Sequence, residues 1–572
     1  MSALETNTSV EATVDTTEAP RYTRRETLLT MAGVLLVMLL ASLDQTIVST
    51  AMPHIIADFN GLDRYTWVTT AYLLTSTVMI PIYGKLSDLF GRKSIFLVGV
   101  VLFLLGSAVC GMAQSMNQLI VFRAFQGLGA AALMPIAIAV VGDLFPPRER
   151  GKWQGLTGAV FGLSSIVGPA AGGWITENAN WRWVFYVNLP VGIAALLVLI
   201  FLMPSLHKKV ANVSIDYLGA ALLVVATVPL MLGLTWAGTQ YAWLSVQVVG
   251  LFALSLAGFV AFFTYEGYLA RKEKQPIIDP RLFKNSIFTI AIAISMITSM
   301  AMFGAIYFLP LFAQGILGIS ATDSGLLLSP MMLSLIAASI VSGLVVSRTG
   351  KYKIVAIVGM IISVIGASLL LRLDVHSGAN DLWISMVVMG LGLGFGMSLY
   401  TLIVQNALPD KIGQATSALT FFRQIGGTIA LSAMGSVMTS AYQPAFRKAV
   451  PASVNQFAAM AQKLYHKDLL GIFDNPNILL SKDTQDKIMK GFQSFPGGKQ
   501  IYDQILEAVK IGLAQGIHNV FIFSVCFMVT GLLLVFFLKE IPLRSGRGKA
   551  TADSAAQGAE DGTGALSPVM MH

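Results

Sequence analysis

Leu28-Leu-Thr-Met-Ala-Gly-Val-Leu-Leu-Val-Met-Leu-Leu-Ala-Ser-Leu-Asp44-Gln-Thr-Ile-Val-Ser-Thr-Ala-Met52 contains a single charged residue, Asp44. A helix rises about 1.5 Å per residue, and the hydrocarbon core of a bilayer is about 30 Å thick, so about 20 apolar residues suffice to cross it. This stretch is therefore expected to span a membrane. Comparable blocks follow at 64–83, 94–113, 119–142, 155–175, 184–204, 215–237, 245–268, 286–312, 323–346, 353–373, 382–405, 415–439 and 511–538. The expected fold class is all-α integral membrane, with fourteen transmembrane helices.

Working outward, the whole chain carries the same signature. Of 572 residues, 55% are hydrophobic and 12% are charged. Soluble domains hold about 25% charged residues. A water-soluble chain this apolar would expose patches that it could not cover. The net charge of +8 sits mainly in short loops between apolar blocks, with no basic stripe of the kind nucleic acid requires. No nucleic-acid partner is expected. Cys110 and Cys526 each lie inside an apolar block and suggest no metal site. Residues 1–27 are polar and end in Arg21, Arg24 and Arg25; with no small-residue cleavage site after the apolar run, 28–52 reads as a retained first helix.

Alternate loops differ in charge. One set holds Lys85, Arg92 and Lys93; Arg148, Arg150 and Lys152; Lys208 and Lys209; Arg271, Lys272, Lys274, Arg281 and Lys284; Arg348, Lys351 and Lys353. The other set holds Arg64 and Arg182, with Arg372 at a helix edge. The positive-inside rule then puts both termini in the cytoplasm.

The basic loops also repeat. Gly84-Lys-Leu-Ser-Asp-Leu-Phe-Gly91-Arg-Lys follows the second block, and Gly343-Leu-Val-Val-Ser-Arg-Thr-Gly350-Lys-Tyr-Lys follows the tenth. Pro147-Arg-Glu-Arg-Gly151 recurs loosely as Pro409-Asp-Lys-Ile-Gly413, the offsets being 259 and 262 residues. Such an offset fits a six-helix bundle at 28–204, two inserted helices and a linker at 205–285, and a second six-helix bundle at 286–542. Repeated halves with a site between them are a transporter plan. Residues 440–510 read as a long outside loop carrying amphipathic surface helices at Val454–Ile472 and Lys499–Lys510. Residues 1–27 and 543–572 read as disordered cytoplasmic tails.

Four constellations carry chemistry. Asp44 is the only acidic residue deep inside a block, and an intramembrane carboxylate normally faces a cavity and has a task. A carboxylate out of water holds a proton more readily, and a neighbouring arginine releases that proton. Arg123 lies four residues inside the fourth block, at a depth within roughly 6 Å of Asp44. The two are candidates for proton coupling; the alternative is a pair that only pins helix packing. In the loop Gly84 to Lys93, Asp88 and Arg92 are four apart, and Asp143 at the end of the fourth block is a candidate partner of Arg92. Together with Gly91 they could latch two helices in one state; the alternative is an ordinary tight basic loop. Gly155, Gly168, Pro169, Gly172 and Gly173 lie along the fifth block, where proline bends a helix and small residues permit close contact or sliding.

Buried polar candidates for a substrate cavity are Gln45, Gln126, Gln314, Gln405, Asn406 and Arg423, with Tyr307. Met296, Met300, Met302, Met331, Met332, Phe303 and Phe308 could add an adaptable apolar lining. No Gly-x-x-x-x-Gly-Lys-Ser/Thr loop and no His–Glu metal spacing is present, so ATP drive, cofactors and enzymatic chemistry are not expected.

At these residues the sequence resembles the major facilitator superfamily, in its fourteen-helix drug:proton antiporter branch of the EmrB/QacA type. Leu43-Asp44-x-Thr46-Ile47-Val48, Trp181-Arg182-Trp183-Val-Phe185-Tyr-Val-Asn188-Leu-Pro190, the Gly84–Lys93 loop and Gly168-Pro169-x-x-Gly172-Gly173 carry the likeness. The resemblance implies two six-helix bundles with two inserted helices, rocker-type alternating access, and proton-driven export of drug-like amphiphiles. It casts Asp44 and Arg123 in coupling and Asp88, Arg92 and Asp143 in a charge relay. Ser164 stands where the antiporter motif usually has Gly, and the loop at 440–510 is longer than usual. The tenth block lacks an interior acid, which argues against dicationic drugs. The expected partners are small amphiphilic substrates, protons and the lipid bilayer of the cell membrane; the chain reads as a monomer, with any adaptor protein unspecified. Two alternatives stay open: a dedicated exporter of one endogenous metabolite, lipid or antibiotic, and a non-transporting receptor or scaffold.

Overall fold

The structure, a computed structural model, describes residues 23–59, 64–204, 214–238, 240–272, 274–319, 328–465, 470–474, 476–480, 482–493 and 497–543. Most of both expected tails lies outside the described residues. The first seven helices are α1 (Arg24–Phe59), α2 (Tyr65–Phe90), α3 (Arg92–Gly111), α4 (Met116–Leu144), α5 (Pro147–Asn178), the short α6 (Trp183–Tyr186) and α7 (Asn188–Leu202). A hairpin follows, α8 (Tyr217–Trp236) and α9 (Val246–Arg271). The rest are α10 (Ser286–Gly315), α11 (Ser329–Thr349), α12 (Tyr352–Leu370), α13 (Ala379–Met397), α14 (Leu399–Ala407), α15 (Ile412–Ala449), α16 (Ala452–Tyr465), α17 (Lys482–Phe492) and α18 (Gly498–Phe536).

Among the described residues, twelve segments are long and apolar enough to cross a membrane. Helices α6 and α7 together make one of them, as do α13 and α14. Two further helices, α2 and α15, are long enough at 26 and 38 residues but carry more polar side chains. They pack against each other and against inner helices, and Thr77, Ser87, Gln414, Thr416, Ser417 and Thr420 are buried within the protein. Thr75 Oγ1, for example, donates to the carbonyl of Ala124 across the α2–α4 contact (2.8 Å). These two complete the fourteen expected spans.

Helices α1–α7 pack as one bundle, and α10–α15 with α18 as another, with the α8–α9 hairpin beside them. The repeat is visible in three dimensions. Gly91 and Gly350 both have a positive φ, 89° and 71°, just after α2 and α11. Gly84 of the first bundle lies against Gly413 and Ser417 of the second, while Gly343 of the second lies against Gly151 of the first. Because 84 pairs with 413 and 343 with 151, the two repeat motifs contact each other reciprocally. That is the contact pattern of a pseudo-two-fold axis.

Helices α15 and α18 are longer than the sequence suggests. At 38 and 39 residues they measure about 57–59 Å, well beyond a 30 Å hydrocarbon core. Lys499–Lys510 is thus not a separate surface helix but the first turns of α18, while α16 overlaps the expected helical stretch at 454–472. The projecting ends form a cap. Tyr442 donates from its hydroxyl to the Phe473 carbonyl (2.5 Å), and Phe473, Phe492 and Tyr502 cluster with ring centroids 5.8–6.5 Å apart. One apolar face of the amphipathic stretch therefore has a partner, which is why the helix continues instead of breaking.

Candidate functional site

Asp44 is fully buried inside the first bundle and does not face lipid. Arg123 Nη1 donates to its Oδ2 (2.8 Å). Gln126 Nε2 and Asn188 Nδ2 both donate to its Oδ1 (2.9 Å each). The same two amides donate to Ser107 Oγ at 2.7 and 3.1 Å, and Gln126 Oε1 accepts from Arg123 Nη1 at 2.7 Å. The Arg123 guanidinium also lies over the Tyr72 ring, 4.2 Å from its centroid. Arg123 and Gln126 are three residues apart on α4, so one helix face delivers both. Small residues let the helices close on them: a Cβ on Gly106 of α3 would lie 2.5 Å from the Gln126 Cα. The expected Asp44–Arg123 pair is present, and Gln126, expected in a substrate cavity, instead joins this pair. Asn188, Ser107 and Tyr72 join the site without having been expected there, although Asn188 sits in the quoted Trp181–Pro190 motif.

The loop cluster forms at the basic end of the bundles. Arg92 Nη2 meets Asp88 Oδ1 (2.6 Å), Arg92 Nε meets Asp143 Oδ2 (2.7 Å), and Arg92 Nη1 donates to Ser87 Oγ (2.6 Å). Asp88 Oδ2 also accepts from the Gln414 backbone N–H (2.9 Å), at the N-terminus of α15 in the other bundle. A carboxylate there meets unpaired amides and the positive end of the helix dipole. Gly413 packs against Asp88 and Arg92 so closely that a side chain would displace them. Lys93 is not part of this cluster; its Nζ donates to the carbonyls of Ile200 and Met203 at the end of α7 (2.7 Å each).

Further contacts close the same end. Gln154 Nε2 donates to Gln405 Oε1 (3.0 Å), and Gln405 Nε2 donates to the Ile138 carbonyl (3.2 Å) and to Thr416 Oγ1 (3.1 Å). The buried Asp279, before α10, accepts from Lys411 Nζ (2.6 Å) and Arg281 Nε (3.1 Å). Burial works against its charge, yet these hydrogen bonds outweigh burial and hold its carboxyl below the usual carboxylate range.

On α5 the glycines divide between two neighbours. Gly151, Gly155, Gly158 and Gly162 face α11, and Gly168 and Gly172 face α1 at Thr46 and Thr50. Thr46 Oγ1 donates to the Ser164 carbonyl (3.1 Å), fixing that contact. At Gly173 an added methyl group would have no neighbour within 4 Å, so close packing does not explain this glycine.

The remaining polar candidates do not share one site. Gln45 is exposed, Tyr307 is 47% exposed, and Gln314 is half-buried near the end of α10. Gln405 and Asn406 are buried, Gln405 at the closed basic end. Arg423 lines a small cavity of about 20 Å³ in the second bundle, with Ser299, Tyr400, Thr298, Met302 and Leu393 among its walls. Of the expected methionine lining, Met302 reaches this cavity, while Met331 and Met332 are core residues.

Glu266 escapes a reading of the sequence because it lies near the end of its apolar block. It is fully buried and lies beside Asp216. Both acids converge over Gly219, where no side chain intervenes. Asp44 is therefore not the only deeply placed acid.

Comparison with known proteins agrees with this arrangement. The Major Facilitator Superfamily profile matches residues 34–431. Multidrug transporter protein MdtP of Bacillus subtilis (strain 168) is 40% identical over 526 residues, covering 90% of this chain and 93% of its own. Multidrug resistance protein 3 of the same organism is 36% identical over 535 residues, covering 93% and 98%. The MFS-type efflux pump LUC4 of a Fusarium species is 31% identical over 524 residues, covering 90% and 88%. Among solved structures, the proton:xylose symporter XylE superposes with a TM-score of 0.54 at 14% identity, over 91% of this chain and 97% of that one. These relatives and neighbours are transporters and not enzymes. The apolar membrane-spanning segments, the paired bundles and the sequence match together make this chain a multi-pass membrane transporter of the major facilitator superfamily.

Proposed function

We propose that the protein exports small amphiphilic, drug-like compounds across the plasma membrane in exchange for protons, by alternating access. The basic end is then the cytoplasmic end, with both termini there. The bundles at 28–204 and 286–542 rock about the site between them, the inserted segment 205–285 bracing them from the side, and one chain is the working unit. The observation that carries the reading is the sealed Asp44–Arg123 pair, held by two further amides.

A buried ion pair persists only while its partners stay together. If the change of state also shifts α1 against α4 within the first bundle, Asp44 is left in hydrocarbon without its guanidinium and takes a proton. Re-forming the pair releases that proton on the other side. The Asp88–Arg92–Asp143 cluster and the Gln154–Gln405 bond keep the cytoplasmic end closed in the state described here, and their breakage opens it. The names of the bacterial and fungal relatives support drugs and other small amphiphiles as substrates.

The test is reconstitution in proteoliposomes with an imposed pH gradient and a fluorescent amphiphilic dye. Gradient-dependent dye movement is expected for the wild type and its loss for Asp44→Asn. Gradient-driven transport by Asp44→Asn at the wild-type rate refutes the coupling role of this carboxylate.

A further inference from the structure

The two bundles handle their central arginines differently. In the first, Arg123 has Asp44 as a counter-ion within the chain. In the second, Arg423 of α15 has no ion pair and no hydrogen bond to a described residue. It stands eleven residues inside α15, half-buried; of the helices that line the cavity with it, α10 and α14 hold no acidic residue and α13 holds only Asp381, in its first turn at the far end. A guanidinium cannot shed its charge, so at this depth it is held by water or by an anion.

Two more donors face the same cavity without partners. Ser299 Oγ and Tyr400 Oη are buried, their residues 2% and 1% exposed, and neither is hydrogen-bonded. Buried hydroxyls left unpaired are costly, and a guanidinium with two unpaired hydroxyls around one cavity, no anionic acceptor among them, suits an anionic acceptor from outside. Met302 and Leu393 supply an apolar wall beside them. The present volume of about 20 Å³ is water-sized, so the cavity must widen as the path opens to take a carboxylate.

We propose that Arg423, Ser299 and Tyr400 form the subsite for the carboxylate of an acidic amphiphile, the apolar remainder of which extends into the opened path between the bundles. The inference deepens the reading of the protein as an exporter of amphiphiles, and names the class of substrate: monoanionic acids with an apolar body. A guanidinium takes a carboxylate in a charge-assisted, often bidentate contact, and the hydroxyls add neutral hydrogen bonds.

The test measures binding without any gradient, so it stands apart from proton coupling. The full chain in nanodiscs of zwitterionic lipid is titrated with 11-(dansylamino)undecanoic acid and with its methyl ester, against empty nanodiscs. The wild type is expected to bind the acid at least tenfold more tightly than the ester. In Arg423→Gln the ratio falls to about one, and Arg423→Lys keeps part of it. Tyr400→Phe, which preserves ring volume, lowers the ratio about threefold and serves as the readout should the Gln variant fail to elute as a monodisperse protein. Equal wild-type affinity for acid and ester overturns the proposal, as does an unchanged ratio in Arg423→Gln. Equally effective displacement of the acid by millimolar phosphate or chloride would make this a small-anion site, and loss of the preference in nanodiscs containing phosphatidylglycerol would make it a lipid site; either result overturns it. Lost acid preference alongside intact pH-driven dye export would sink this inference alone.

Discussion

Replacing Asp44 by Asn, Arg123 by Gln, and both together yields a thermodynamic cycle whose signs follow from the geometry. The pair is almost completely buried, with side-chain exposures of 0% for Asp44 and 2% for Arg123. Asp44→Asn leaves Arg123 charged and without its counter-ion, and breaking a buried pair in this way costs about 3–5 kcal/mol. The new amide also sets a donor against donors, since Oδ1 receives Gln126 and Asn188 while Oδ2 receives Arg123. Gln126 cannot turn round to help, because its Oε1 already accepts from Arg123. Asn188 can, because its Oδ1 has no partner, although it then loses its bond to Ser107. Arg123→Gln is milder, since a carboxylate without its guanidinium can be neutralised by a proton, whereas a guanidinium cannot. Asp44→Asn should therefore lower the unfolding midpoint more than Arg123→Gln. The double variant should be more stable than Asp44→Asn alone, with a coupling of about 2–3 kcal/mol. Thermal unfolding of the four proteins in one detergent, followed by tryptophan emission, reads the order directly. A double variant whose loss equals the sum of the single losses would mean that the two side chains are not an energetic unit, and the coupling reading would lose its physical basis.

Gly172→Ala and Gly173→Ala, adjacent on α5, should behave oppositely. A Cβ on Gly172 would lie 2.8 Å from the Ile47 carbonyl and crowd Thr50, so gradient-driven transport and stability should both fall, whereas Gly173→Ala meets nothing and should be neutral or stabilising by roughly 0.5–1 kcal/mol. Gly343→Val should impair closure of the basic end and lower transport more than tenfold at unchanged membrane level, measured in vesicles, because the reciprocal Gly343–Gly151 contact leaves no room for a side chain. Asp279 has a carboxyl held below its usual range, so its contribution is complete above the unfolded value of about 3.9 and fades as pH falls through the lower folded value. The gap in unfolding midpoint between wild type and Asp279→Asn should accordingly narrow as pH is lowered from 7 towards 3. Tyr502→Ala opens the aromatic cluster under the cap and should lower stability by roughly 3 kcal/mol, while the imposed-gradient dye assay, run well below the melting midpoint, should change little.

The reciprocal glycine contacts explain why so much of the architecture could be read from the chain. Hydrocarbon forces every lipid-facing backbone into helices, so apolar blocks alone imply the spans, and alternating loop charge supplies their expected orientation. Spacing along a helix is regular enough that the relative depth of Asp44 and Arg123 follows from counting residues. Groups that find their partners through rotation about helix axes and through approach of distant segments are less legible. Asn188 reaches Asp44 from another helix and Ser107 of α3 in turn accepts from Asn188, Asp88 finds its amide 326 residues away at Gln414, and Glu266 meets Asp216 across the inserted hairpin. The ends of α15 and α18 are hidden for the same reason: an amphipathic stretch continues a helix or leaves it according to whether another segment covers its apolar face.

The sequence by itself determined that this chain lies in a membrane, and it placed Asp44, Arg123 and Arg423 within apolar blocks while passing over Glu266, because the solvent penalty acts residue by residue. The tertiary structure alone decided which of those charges are matched. Arg123 is neutralised by a carboxylate from another helix while Arg423 is left facing a cavity with two unpaired hydroxyls, since pairing depends on which helix faces meet, and one-dimensional order does not encode that.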